Sequence, residues 1–284
     1  MIKLSGYILT VFFLTGVFFS ASIPSTIAYL SLLSGHFAFA LFAVLIARGA
    51  RRTSNHFLYF TRLLATALAT EIILIIAVKK IGIYIDTRNV LFTYAASLAL
   101  IAGIAMAIGC YHDLVAHAVP AGGGLTKKEL FGVPVNPGNY RIAPIQGLVI
   151  GLATAGLAVF VTIYFRFAYG LYGLLFVLLV FIAMRDDSLS SSVILKRSVY
   201  NNGKSFTRTI SYVTALTVVF LSLTLLSGSL RALFSLNYLV AIPAILAAAG
   251  LPETPRPPTP FQRWLSYATL PIAIGFMSLI RFLL

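Results

Sequence analysis

The sequence predicts an all-α fold, a polytopic transmembrane helical bundle of about nine spans, with eight to ten as the range. Three observations predict it. Of the 284 residues, 60% are hydrophobic and only 10% charged, against roughly 45–50% and about 25% in a soluble domain. The mean hydropathy is +0.97. Several stretches approach the roughly 20 apolar residues that cross a hydrocarbon core of about 30 Å.

The apolar segments fall in order at Leu4–Ser20, Leu33–Ala47, Phe57–Val78, Asn89–Cys110, Ile142–Phe165, Tyr169–Met184, Thr209–Leu226, Leu233–Gly250 and Trp264–Leu284. The first resembles a secretory signal, with Lys3, an apolar run and small residues at Ser20 and Ser22. With Met1 at its head we read it as a retained span. The second is short enough to be tilted or partly re-entrant. The fifth carries Gly147 and Gly151, a spacing that lets helix backbones approach closely. A single integral-membrane domain is expected over 1–284, with cytoplasmic loops at 111–141 and 185–208. The proline-rich 252–260 stretch reads as a stiff extended connector.

The net charge of +14 is spread over many short loops, and no five like charges occur in a row. That distribution excludes a nucleic-acid partner and assigns the charge to topology and anionic headgroups. With the N-terminus cytoplasmic, fifteen of the 21 basic residues lie inside, and Lys79, Lys80, Arg88, Arg166, Arg231 and Arg281 lie outside. Positive charge favours the inside, so this is the expected orientation, in a bacterial inner membrane. Nine spans would leave Leu284 outside.

Few residues could carry chemistry. The lone Cys110 excludes an internal disulfide or a cysteine zinc site. AGGGLTKK lacks the spacing and the preceding strand of a phosphate loop. His112, Asp113 and His117 read as a solvated loop, so no metal site is expected. Neither a Ser-His-Asp order nor an HExxH pattern occurs. Two residues stand out. Glu71 lies eight residues from its nearest charges in an apolar run, where a carboxylate costs at least ~2.5 kcal/mol unless it meets a partner or cavity. His36 sits in SGHFAFALFA, in the same outer half of the bilayer. The expected partners of Glu71 are Tyr94, Ser97 or His36. Without a cation, its carboxyl would be held protonated.

The motifs resemble the TraX family, membrane acetyltransferases of F-type pilin. The likeness is carried by GHFAFALFAVLIARGARRTSN, then FLYFTRLLATALATEI, RNVLFTYAASLAL at 88–100 and AYGLYGLLFVLL at 168–179. Gly35, Ala38, Phe39, Phe42, Gly49, Asn55, Arg62 and Glu71 fit the family pattern. Departures fall where chemistry would sit. Phe13 and Leu14 replace the family's Asp-His pair, His36 replaces an arginine, Ala40 a proline and Arg48 a glutamate. Near the C-terminus YATLPIA keeps Pro271 and loses a histidine.

The resemblance therefore implies two readings. One is a catalytically degenerate relative acting as a structural or assembly subunit of a larger membrane complex, needing no cofactor. Its partners would be lipids and other membrane-protein subunits. The other is an acyltransferase with a rebuilt centre at His36 and Glu71, using acyl-CoA (acetyl-CoA), whose phosphates Lys127, Lys128 and Arg141 would hold. Its acceptor would be a pilin, peptide or glycan. A small-solute transporter ranks below both, because no internal repeat is visible.

Overall fold

The computed structural model describes residues 2–53, 55–82, 88–116, 129–130, 133–134, 143–184, 203–226, 236–250 and 260–283. Among these, nine α-helices form: α1 Ile2–Phe18, α2 Ser25–Arg52, α3 His56–Ile81, α4 Val90–Ala116, α5 Pro144–Tyr164, α6 Gly170–Ala183, α7 Gly203–Leu226, α8 Ala241–Gly250 and α9 Pro260–Leu283. A 3-10 turn, Leu236–Val240, leads into α8. Two short antiparallel strands, Glu129–Leu130 and Val133–Pro134, fall inside the segment expected to be an irregular loop.

Each predicted apolar segment is helical, but nine spans is wrong. Five helices among the described residues are long and apolar enough to cross a membrane: α2, α3, α4, α5 and α7. The others are shorter apolar stretches, Lys3–Phe18, Gly170–Ala183, Tyr238–Ala248 and Ala268–Leu283. Length decides it for two of them. At 1.5 Å per residue the 14-residue α6 reaches about 21 Å and α8 about 15 Å, short of a core of about 30 Å. The placement of Leu284 outside rested on nine spans and falls with that count.

The second segment errs the other way. It is a 28-residue helix, not a short re-entrant one. Its polar start is satisfied locally: Ser31 donates to the Ala28 carbonyl at 2.7 Å, and Ser34 to Leu9 of α1 at 3.2 Å. Its last turns also absorb Arg48 and Arg51, both buried. Arg51 donates to the Phe181 carbonyl through Nε at 2.8 Å and through Nη2, and lies over the Phe181 ring. It thereby satisfies an orphan carbonyl of the last turn of α6 and complements that helix's dipole. The helix then stops, and Asn55 caps α3 by accepting from the Leu58 amide at 2.9 Å. Gly82, left-handed at φ 74°, ends α3.

The centre is built from α2, α4 and α6, with Phe39, Val44, Tyr94, Leu98, Phe176 and Val180 in one core that α7 and α8 cover. Nearly all of α6 is apolar and most of it is buried, the signature of a core helix rather than a lipid-facing one. A second cluster joins α1, α3 and α9 through Leu14, Phe18, Ala77 and Ile274. Outside, α5 leans on α4 through glycine. A Cβ at Gly151 would lie 2.7 Å from the Ala107 amide nitrogen and the Gly103 carbonyl oxygen. Of the predicted small-residue pair, Gly151 is thus a backbone contact between two spans, and Gly147 makes room for the Cys110 side chain. The opposite face of α5 bears Val149, Leu152, Phe160 and Ile163, exposed as a lipid-facing surface requires.

Candidate functional site

His36 lies on α2, against the turn between α5 and α6 and the 3-10 turn before α8. Its ring meets the Tyr169 and Tyr238 rings edge-on, at centroid distances of 5.3 Å and 5.8 Å. Its Nδ1 is buried and makes no hydrogen bond among the described residues. An imidazole nitrogen in that position costs about 1–3 kcal/mol relative to one with a partner. His36 is therefore poorly explained as packing.

Tyr169 is held against it by a strained turn. Among the described residues, Arg166 (φ 51°) and Tyr169 (φ 63°) are the non-glycine residues in the left-handed region, and Gly170 follows at φ 48°. For a bulky aromatic this is an outlier, with a cost of order 1–3 kcal/mol that the surroundings must offset. The offset is visible. Tyr169 stacks on Phe39 at 3.9 Å, and Phe39 stacks in turn on Tyr94 at 5.7 Å. The Tyr94 hydroxyl donates to the Phe39 carbonyl at 2.9 Å. Gly173 leaves room for the turn, since a Cβ there would sit 2.7 Å from that of Tyr169. On the far side Tyr172 stacks on Tyr238 at 4.2 Å, its hydroxyl 3.2 Å from Thr217 Oγ1.

Glu71 is elsewhere and differently engaged. It is buried on α3, and its Oε1 accepts from Arg88 Nη1 at 2.8 Å. Its Oε2 accepts from Asn89 Nδ2 at 2.8 Å and from the Asn89 amide at 3.2 Å. Asn89 Nδ2 also reaches the Ala67 carbonyl at 3.0 Å, one turn earlier. The expected partners are wrong. Ser97 donates to the Thr93 carbonyl on its own helix, and Tyr94 to Phe39. The expectation of a neutral carboxyl assumed no cation, and Arg88 supplies one. The reason is geometric. Arg88 and Asn89 sit at the start of α4, which meets α3 ten residues before α3 ends, so the helices are staggered.

No hydrogen bond or ring contact joins Glu71 to His36 among the described residues. A backbone path does run between them. Arg88 and Phe167 form an isolated parallel bridge, with the Arg88 amide donating to Arg166 and the Ala168 amide to Arg88, each at 3.2 Å. Thr93 Oγ1 clamps the same turn by donating to the Ala168 carbonyl. The next residue is Tyr169.

Lys127, Lys128 and Arg141 lie outside the described residues, as does His117. No group of three metal-ligating side chains occurs among the described residues. Sequence reading missed Tyr169, Tyr238, Arg88 and Asn89. The one available signal was the Tyr-Gly pair at 169–170, because a residue beside a turn glycine is a candidate for an unusual conformation. No protein-family model, curated protein or solved structure matches the chain.

Proposed function

We propose that this integral membrane protein is an acyl-transfer enzyme of the TraX-like type whose reacting group is His36. The buried Nδ1 of His36, without a partner and faced by two tyrosines, carries the reading. The substrate class is an acyl thioester supplied from the cytosol, with a hydroxyl or amine acceptor. His36 takes the acceptor proton as the acceptor oxygen or nitrogen attacks the thioester carbonyl carbon. The C–S bond then breaks and the leaving thiolate recovers that proton, returning His36 to its neutral form. The Tyr169 and Tyr238 hydroxyls are the donors available to the developing oxyanion. Glu71 has no chemical step, because Arg88 and Asn89 occupy its oxygens. The test is thiol release from acetyl-CoA by the purified protein in vesicles. His36→Ala should abolish release at unchanged abundance, whereas loss of abundance alone would make His36 a packing residue.

A second reading, the degenerate structural or assembly subunit, is favoured by a different observation. The α1 position that would hold the family's acid is Phe13, whose ring lies 2.5 Å from where a Gly35 Cβ would be. The α1 contact at the residue before His36 is therefore apolar. Stoichiometric partners after gentle extraction, with no thiol release by the wild type, would establish this reading. A clean monomer that releases thiol would end it.

The orientation belongs to either reading. The Arg51–Phe181 contact brings the C-termini of α2 and α6 to one end of the bundle. Gly6 of α1 packs on Phe42, so the N-terminus lies toward that end. The links after α4 and α6 add Lys127, Lys128, Arg141, Arg185, Lys196 and Arg197 in sequence. We assign this end to the cytoplasm of a bacterial inner membrane. A cysteine introduced at position 121 should resist an impermeant thiol reagent in intact cells and react after lysis. Labelling of intact cells would reverse the assignment.

A further inference from the structure

We propose that Glu71 is a positioning residue for the His36 site, acting through the Arg88–Phe167 bridge on Tyr169. The inference uses His36 as the site named above, but not the reaction assigned to it. Two features that are unusual separately explain each other. The first is a buried carboxylate on a membrane helix, fully engaged yet touching nothing in the aromatic cluster. The second is a tyrosine in the left-handed region, pressed onto Phe39 and the His36 edge.

The chain of contacts is short. Glu71 fixes the Arg88 guanidinium and both Asn89 donors, which sets the backbone at the start of α4. That backbone exchanges hydrogen bonds with Arg166 and Ala168. The 165–170 turn is thereby pinned at its middle. Arg166 and Tyr169 would otherwise relax toward ordinary angles, because a bulky residue in the left-handed region stores strain. Relaxation at Tyr169 would lift its ring from Phe39 and uncover the buried face of His36. A purely local role for Glu71, neutralising Arg88, would not explain why the pair sits where α4 meets this turn. The pair is better explained as an anchor for the backbone that Arg88 belongs to.

The experiment follows carbethoxylation of His36 by diethyl pyrocarbonate, read by mass spectrometry on the full chain in detergent micelles. Glu71→Gln and Arg88→Gln should each speed modification of His36 about fivefold, the factor that about 1 kcal/mol of coupling produces. The double variant should be no faster than either single one, because both act through one bond. Thr93→Val, which frees the Ala168 carbonyl without touching Glu71, should reproduce the effect. A general loss of stability is separated by Gly147→Ala at the α4–α5 contact. It should lower the melting temperature and leave the His36 rate unchanged. An unchanged rate in both latch variants, with a faster one in Phe39→Leu, would overturn the proposal, as would additive effects in the double variant. Absence of thiol release by the wild type would remove the acyl-transfer reading and leave this result standing.

Discussion

Gly151→Leu should destabilise the protein by about 3 kcal/mol or prevent its folding, through overpacking of the α4–α5 contact. A Cβ at Gly151 meets backbone, the Ala107 amide nitrogen and the Gly103 carbonyl oxygen, both at 2.7 Å. A flexible side chain could turn away, but two helix backbones can only move apart. Separation would strip contacts along the whole pair, because Gly103 meets the α5 backbone in the same manner and Gly147 packs on the Cys110 side chain. Without a hydrophobic drive between helices in lipid, such close packing is what holds two spans together. Gly156 is the control on the same helix, since nothing lies within 4 Å of its Cβ position. Gly156→Leu should be neutral or stabilising by about 0.5–1 kcal/mol, from helix propensity alone. Unfolding midpoints in a mixed-detergent titration would compare the two, and equal midpoints would refute the backbone contact.

Glu71→Leu should cost about 2 kcal/mol, and Glu71→Gln at most about 1 kcal/mol. Leucine removes the acceptor of three hydrogen bonds, two of them from Asn89 at the buried start of α4. Asn89 Nδ2 keeps the Ala67 carbonyl, but its amide loses its partner. Glutamine keeps an oxygen for Asn89 and loses the ion pair with Arg88 together with its hydrogen bond. That attraction is worth less than a fully buried pair, because Arg88 is 48% exposed and water screens it. The same titration measures both variants. Equal midpoints for Leu and Gln would mean that the hydrogen bonds contribute nothing beyond charge.

The contrast between these two sites shows what could be read without coordinates. Gly147 and Gly151 announce their role in sequence, since small residues one turn apart on an apolar helix define a face. Their partner, α4, could not be read, because any helix can supply a smooth groove. Glu71 announces that it needs a partner, since hydrocarbon offers none. Sequence spacing suggested groups at its own depth in a full-length antiparallel neighbour. The stagger of α3 against α4 put Arg88 and Asn89 there instead.

The sequence by itself determined that the protein lives in a membrane, where its apolar helices lie, and that His36 and Glu71 are its anomalous polar residues. Hydropathy and cost in hydrocarbon are properties of a residue and its near neighbours, so they survive without a fold. Only the structure decided which helices are long and apolar enough to cross. The 14-residue α6 reads like a span by composition, and burial on nearly all sides makes it a core strut. Only the tertiary structure, too, separated His36 from Glu71, set Tyr169 in its left-handed turn and linked the two places through the Arg88–Phe167 bridge. Those outcomes depend on contacts between residues far apart in sequence, such as Arg88 with Phe167 and His36 with Tyr169. No local pattern encodes such contacts, because their energy exists only once the helices have packed.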